Sequence, residues 1–219
     1  MISKLRMTFC VGALAALAAC GGTTVPLPGN SAAFPGDNLL PAGGSGRLSL
    51  SEIQTVAGKL APGYNAASVT PKAAVPVSGS SNYLGYVAGD LTAANRVPVS
   101  GLAQVGVNFG TNRVGGTIGN FVDSQGTDLG GTLAIRNGVL NRNLNASQVS
   151  ILGDVGGTLT YGSQTIGVDG RITDGSGRNG GFKGSSGQYI GFPMEGNISV
   201  NGRPGGTFGL NGVLGRTSR

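Results

Sequence analysis

Histidine and tryptophan are both absent from this 219-residue chain, and aromatic residues make up only 5 % of it. Without histidine the commonest acid–base group and metal ligand is missing, and a Ser-His-Asp arrangement is impossible. Cysteine occurs only at Cys10 and Cys20. Both fall in "MISKLRMTFCVGALAALAAC", which has a basic start (Lys4, Arg6), an apolar run from Met7 to Leu17 and small residues before a cysteine. That is the pattern of a secretory signal peptide, short for a membrane span. With the leader removed one cysteine remains, which excludes an intramolecular disulfide and a thiolate metal site. Charge is scarce too, at 11 %. The net charge of +6 falls to +4 when Lys4 and Arg6 leave, and the remaining lysines and arginines are scattered. No basic run exists to track a nucleic acid, so none is expected as a partner. Of the nine acids none forms a pair tighter than Asp169 and Asp174, which flank a turn.

The leader ends in "LAAC", Leu17 to Cys20, which resembles the lipobox of bacterial lipoproteins. The resemblance implies cleavage after residue 19, a diacylglycerol on the Cys20 sulfur and a third acyl chain on its new amino group. Several chains give stable anchoring where one gives marginal binding. Residue 21 is Gly and not the Asp that retains such proteins at the inner membrane, so the outer membrane is the expected destination. Residues 20–80 then read as a lipid-anchored tether, rich in proline, glycine and serine. One ordered island is expected within it, near 49–60. Ser49 and Glu52 have capping-box spacing, Ile53, Val56, Ala57 and Leu60 share a helical face, and Pro62-Gly63 is expected to stop the helix. This short helix is expected to dock on the domain that follows.

What the chain has in excess is glycine, 43 of 219 residues against a usual level of about 7 %. Gly-Gly-Thr recurs as "VGGTIGNF" from Val114, "LGGTLAI" from Leu129, "VGGTLTYG" from Val155 and "PGGTFGL" from Pro204. Around these motifs the apolar period is two. Val155, Gly157, Leu159 and Tyr161 face one way and Gly156, Thr158, Thr160 and Gly162 the other. Leu129, Leu133 and Ile135, then Ile166, Val168 and Ile172, and then Ile190, Phe192, Met194 and Ile198 alternate in the same way. Strands are expected near 83–91, 101–109, 113–122, 129–136, 155–161, 164–172, 179–183, 188–200 and 205–214, most of them joined by short turns. The fold class is therefore all-β, a small Gly-rich antiparallel up-and-down barrel of about eight strands over residues 81–219. The second glycine of each Gly-Gly-Thr is expected to face inward, to leave room for neighbouring Leu, Phe or Tyr side chains and to let the strand coil sharply at a barrel corner. The stretch 141–154 fits least well, as a helical turn or a short extra strand.

Chemistry-bearing motifs are thin. "GSSG" at 184–187 reads as a loop, not a nucleophile elbow. "TDGSGRNGGFKG" lacks both the GK[ST] ending of a phosphate loop and the regular aspartates of a calcium repeat, and reads as a hairpin turn. Tyr83, Tyr86, Tyr161, Tyr189 and Met194 are the plausible axial ligands for a haem, and each is expected to pack a barrel wall instead. No catalytic residue, metal ligand, cofactor or ligand-binding residue is predicted, and Cys20 is the single site residue.

Three stretches carry a family resemblance: "NYLGYVAGDL" at 82–91, "VGVNFGTNRVGGTIGNF" at 105–121 and "GNISVNGRPGGTFGLNGVLG" at 196–215. Residues 82–219 resemble the β-barrel domain of transferrin-binding protein B and related surface lipoproteins. The missing catalytic chemistry predicts a non-enzymatic binding module, expected as a monomer, and the resemblance implies a surface lipoprotein of a Gram-negative bacterium that captures iron sources or host proteins. The chain departs from the family at its closing motif, where Ser199-Val200-Asn201 and Arg203-Pro204 replace an aromatic-Gly-Pro and an acidic residue. It has one barrel and no handle domain, so transferrin binding itself is not carried over. The alternative expectation is a structural, envelope-associated lipoprotein without a capture ligand. An integral outer-membrane barrel is disfavoured, because the outward set is Gly, Thr, Asp, Arg, Asn and Ser and the end "GRTSR" has no terminal aromatic.

Overall fold

The computed structural model describes residues 34–40, 47–144, 146–173 and 180–218. Nine antiparallel strands follow one helix: α1 (Leu50–Ala66), then β1 (Ser80–Thr92), β2 (Arg96–Asn108), β3 (Arg113–Asp123), β4 (Asp128–Asn141), β5 (Ser150–Tyr161), β6 (Gln164–Ile172), β7 (Gly181–Lys183), β8 (Tyr189–Val200) and β9 (Arg203–Arg216). Eight of them close in the order β1-β2-β3-β4-β5-β6-β8-β9, with β9 returning to β1. Closure satisfies every strand edge, which a wall poor in large side chains could not otherwise protect. Strand β7 is the extra one. It pairs with the start of β8 and touches β5 at Ser150↔Gly181.

The two ends of the barrel differ. At the hairpin end the turns are short. Asn201 and Gly202 both take positive φ (52° and 79°) between β8 and β9, the backbone that a two-residue hairpin matching strand twist requires. The other end, here the loop end, carries the segment 67–79, the β2–β3 turn at 109–112, the β4–β5 loop, and the path through β7. The poorly fitting stretch 141–154 resolves simply: Asn141 ends β4, and Ser150–Asp154 open β5 rather than forming a separate element.

Alternation packs the inside. Tyr83, Val87, Leu91, Val105, Ile118, Phe121, Leu129, Leu133, Val155, Leu159, Ile190, Met194, Leu210 and Leu214 belong to one buried cluster that fills the barrel. Val75, from the segment before β1, is part of the same cluster and plugs the loop end. The second glycine of the repeated motif does face inward, and of the two reasons expected it is the coiling that applies there, not room for side chains. A Cβ at Gly116 would collide with the Gln104 carbonyl, at Gly131 with that of Thr158, at Gly157 with that of Thr132, and at Gly206 with that of Thr92. It is the neighbouring backbone, not a ring, that occupies the space. Steep coiling brings adjacent strands too close for any side chain there. Rings do rest on glycines elsewhere: Phe208 against Gly170 and Gly196, and Phe192 against Gly212.

Helix α1 lies along the outside of the wall. Ser49 accepts from the Glu52 backbone N–H at 3.4 Å while Glu52 accepts from that of Ser49 at 2.8 Å, completing the capping box. Its buried face is Ile53, Val56, Ala57 and Leu60, packed with Leu39 and Leu48 against Leu84, Leu102, Tyr86, Val122 and Val213. Pro62 does not end the helix, which runs on to Ala66. Proline removes one bond to the carbonyl four residues back. Here that residue is the exposed Gly58, whose surroundings are open, so water can take the freed acceptor. The last turn is held by Tyr64, which meets Tyr189 edge-on at 6.2 Å between centroids. Lys183 stands 4.3 Å over the Tyr64 ring and donates to the Tyr64 carbonyl at 3.1 Å.

The ordered structure thus begins well before the alternation does. The compact unit runs from Ala33 to Arg219. Residues 34–37 sit at the loop end, where the Gly36 N–H donates to the Arg216 carbonyl at 2.7 Å. Arg47 reaches the hairpin end, donating to the Leu129 carbonyl at 2.7 Å. From there α1 runs back to the loop end. The segment after it is stitched across that end by Thr70 N–H to Phe182 O and Lys72 N–H to Ser147 O, each 2.9 Å.

Candidate functional site

The one predicted site residue, Cys20, lies outside the described residues, as do the leader 1–19, most of the segment 20–46, and Asp174. The five residues that could have gathered around a haem are kept apart. Tyr83 is inside the barrel, donating to the Gly187 carbonyl at 2.8 Å, and burial drives its pKa strongly upward. Met194 is interior as well. Tyr86 and Tyr189 belong to the layer under α1. Tyr161 is at the hairpin end. "GSSG" forms the turn after β7, where the Gly187 N–H reaches back to the Gly184 carbonyl at 3.4 Å. Among the described residues no three His, Cys, Asp or Glu side chains converge on a metal site.

Tyr161 donates to Asp123 Oδ2 at 2.7 Å, while Asp123 Oδ1 accepts from the Gln125 and Thr127 N–H groups, both at 2.8 Å. Burial pushes the Asp123 pKa up, but the Tyr161 hydroxyl and the two amides outweigh it and leave it lowered. The Tyr161 pKa is raised in return, first by that hydrogen bond. With Oδ1 holding two amides of the turn and Oδ2 the hydroxyl at the end of β5, the pair works as a staple for the β3–β4 connection.

The wall of the barrel carries its charges in cross-strand rows. Arg136 stands opposite Asp154, Asp154 opposite Arg171, and Arg171 opposite Glu195. All four are exposed and alternate in sign around four strands. A parallel row runs Thr117, Ala134, Gly156, Asp169 and Asn197. Opposed residues on one face stand about 5 Å apart, so in the first row each charge faces one of opposite sign.

The loop end is different. Its cations are Lys72, Arg113, Arg142, Lys183 and Arg216. The described residues of its connections at 67–79, 109–112, 142–149 and 180–188 contain no Asp or Glu. Asp37, nearby, accepts from the Ser218 N–H at 2.8 Å. Arg142 is fixed by Asn112 Oδ1 (2.9 Å) and the Pro76 carbonyl. Val77, Leu144 and Val69 are exposed here at 75 %, 49 % and 45 %. On the shoulder of this end a shallow open depression of about 400 Å³ is lined by Ser80, Asn82, Gly106, Asn108, Arg113 and Gly115, among others. None of this was readable from sequence, because the cations and apolar tips are scattered along the chain and only strand topology brings them to one end.

Comparison with protein-family models and with curated proteins finds no match to this chain.

Proposed function

We propose that the chain is a non-enzymatic lipoprotein, anchored through acylated Cys20 to the outer membrane of a Gram-negative cell. In this reading its barrel is presented in water as a binding module. The reading rests on a leader ending Leu17-Ala18-Ala19-Cys20 joined to a closed barrel whose wall bears charges in cross-strand rows. Charged side chains on a lipid-facing wall cost about 2–4 kcal/mol each at the bilayer midplane, which argues against the same strands spanning a membrane. The interior is packed with side chains, so a partner is met on the outside of the barrel. Iron-source or host proteins are the ligand class that the resemblance to transferrin-binding protein B implies.

A second reading is an envelope-associated lipoprotein without a capture ligand. It is favoured by the placement of exposed large apolar residues, which among the described residues are Phe34, Leu40, Val69, Val77 and Leu144. None is on the strand wall, whereas capture surfaces concentrate their energy in buried aromatic and Arg anchors. Pull-down with the lipidated chain from host serum and, in parallel, from envelope extract separates the two. A specific serum protein supports capture, and a specific envelope component with none from serum supports the second. The anchor is tested by labelled palmitate, which is expected in the wild type and not in Cys20→Ser. Label entering the Cys20→Ser chain would overturn it.

A further inference from the structure

We infer that the loop end is a membrane-facing surface, which settles on anionic phospholipid headgroups and leaves the hairpin end and the wall pointing outward. For the orientation of the anchored protein this rests on the lipoprotein reading; the chemistry of the surface does not. Three observations converge on the same end. The first is charge. Lys72, Arg113, Arg142, Lys183 and Arg216 stand there against Asp37 alone among the described residues. Among the described residues no side-chain hydrogen bond or ion pair engages Lys72 or Arg113, while the acids Asp90 and Asp128 at the hairpin end are paired with Arg96 and Arg47.

The second observation is apolar exposure. Val77, Leu144 and Val69 project beside those cations and account for three of the five exposed large apolar side chains described. Apolar tips ringed by Lys and Arg suit the boundary between headgroups and acyl chains, where both kinds of group are satisfied together. The wall, with its partnered rows, offers neither.

The third is where the chain enters. Phe34 lies at the loop end, its ring 4.8 Å from the Arg216 guanidinium carbon, and the Pro35–Gly36 backbone lies against Gly215. Cys20 precedes Phe34 by 14 residues, a reach of at most about 50 Å at roughly 3.5 Å per residue. The chain from Cys20 joins the described fold at this end, and not at the hairpin end.

The absence of tryptophan makes the test direct. The chain from Gly21 to Arg219 contains the whole compact unit and neither leader nor thiol, so it reads the surface without the anchor. One variant carries Val77→Trp at the loop end and another Ser163→Trp at the exposed β5–β6 turn of the hairpin end. Vesicles are phosphatidylcholine alone or with one-third phosphatidylglycerol. Val77→Trp emission is expected to shift to the blue on the anionic vesicles only, and the shift to fade in 0.5 M NaCl, while Ser163→Trp stays unchanged. Each basic residue near an anionic surface contributes about fivefold to partitioning, so Lys72→Gln with Arg113→Gln should weaken it roughly 25-fold. Circular dichroism of each variant establishes that it is folded before it is scored. Equal shifts of both reporters, no shift of Val77→Trp, or retention on heparin without any shift on vesicles would overturn the inference, the last in favour of a soluble polyanion. Palmitate labelling of the full-length chain is read separately, so failure of the anchor and failure of the surface are distinct results.

Discussion

Leu60→Ala is the most informative single change, because it asks whether α1 belongs to the same cooperative unit as the barrel. Leu60 is 1 % exposed and sits among Leu84, Tyr86, Leu102 and Val213. A Cβ built on Gly85 of β1 would come within 2.9 Å of its Cδ1, so the helix is set tightly on the strand. Truncating a fully buried leucine costs about 2–5 kcal/mol, depending on how far the site can collapse. Here a helix on the outside of a wall can settle inward, so the lower half of that range, about 2–3.5 kcal/mol, is expected. For a domain of this size each kcal/mol moves the melting temperature by about 2–4 °C, giving a drop of roughly 4–14 °C. Urea unfolding should show one transition by circular dichroism and by tyrosine fluorescence, with the midpoint lowered and the m-value unchanged. Gln54→Ala, on the exposed face of the same helix, should stay within about 0.5 kcal/mol of wild type. If Leu60→Ala shifted the midpoint no more than Gln54→Ala, or if helical signal were lost in a separate early transition, α1 would be a detachable strap and the argument would fail.

The same packing predicts that a chain trimmed to 81–219 exposes Leu84, Tyr86, Leu102, Val122 and Val213 and self-associates, while 34–219 remains monomeric; light scattering after gel filtration compares them. Within one repeat, Gly115→Ala and Gly116→Ala should part company. An added Cβ at Gly115 meets nothing nearer than 3.9 Å, whereas at Gly116 it lands on the Gln104 carbonyl. The first should therefore be neutral or slightly stabilising and the second cost about 1–3 kcal/mol; equal melting temperatures would show that the inward glycine is not forced by backbone contact. Asp123 has a lowered pKa in the fold. Its contribution is thus present above the unfolded carboxyl pKa, near 4, and is lost as pH falls through the folded value. The stability gap between wild type and Asp123→Asn should be steady at pH 5–8 and narrow as the pH falls below the unfolded carboxyl pKa, and a gap that widened on acidification would contradict that linkage. Tyr161, with a raised pKa, has the opposite sense: its contribution holds below about pH 10 and is lost as pH rises further.

Where a side chain's period records which face is buried, the sequence was informative. Val155-x-x-x-Leu159, Ile166-x-Val168 and Ile190-x-Phe192-x-Met194 are alternations that only a half-buried strand explains, and all seven residues lie in the interior cluster. The capping box of Ser49 and Glu52 was legible for the same reason, being a local rule read locally. Pro62 was misleading because the local rule there is conditional. Proline breaks a helix when the lost bond strands a buried carbonyl, and on the exposed side at Gly58, with Tyr64 pinned by Lys183 and Tyr189, it does not. The inward glycines were placed on the right face, but the room they were expected to leave for side chains is taken by backbone. A pattern of one strand cannot show how near the next strand's backbone approaches.

The loop end was illegible because nothing in the primary sequence joins Lys72, Arg113, Arg142, Lys183 and Arg216. Four reversals of the chain separate them from one another, and closure of the sheet puts them together. The sequence showed a scattered net charge of +4 after leader removal, which taken as an average predicts an evenly basic surface. The structure divides that charge. On the wall Arg136 and Arg171 are opposed by Asp154 and Glu195, and at the hairpin end Arg96 and Arg47 are paired with Asp90 and Asp128. Once those pairs cancel, the excess positive charge remains largely where the loops are, beside the most exposed valine of the fold. A field of one sign on one end of a cylinder orients the molecule against a charged plane before any contact forms, and salt screens it over about 8–10 Å. That is why ionic strength, rather than any single substitution, is the sharpest probe of what this end of the barrel is for.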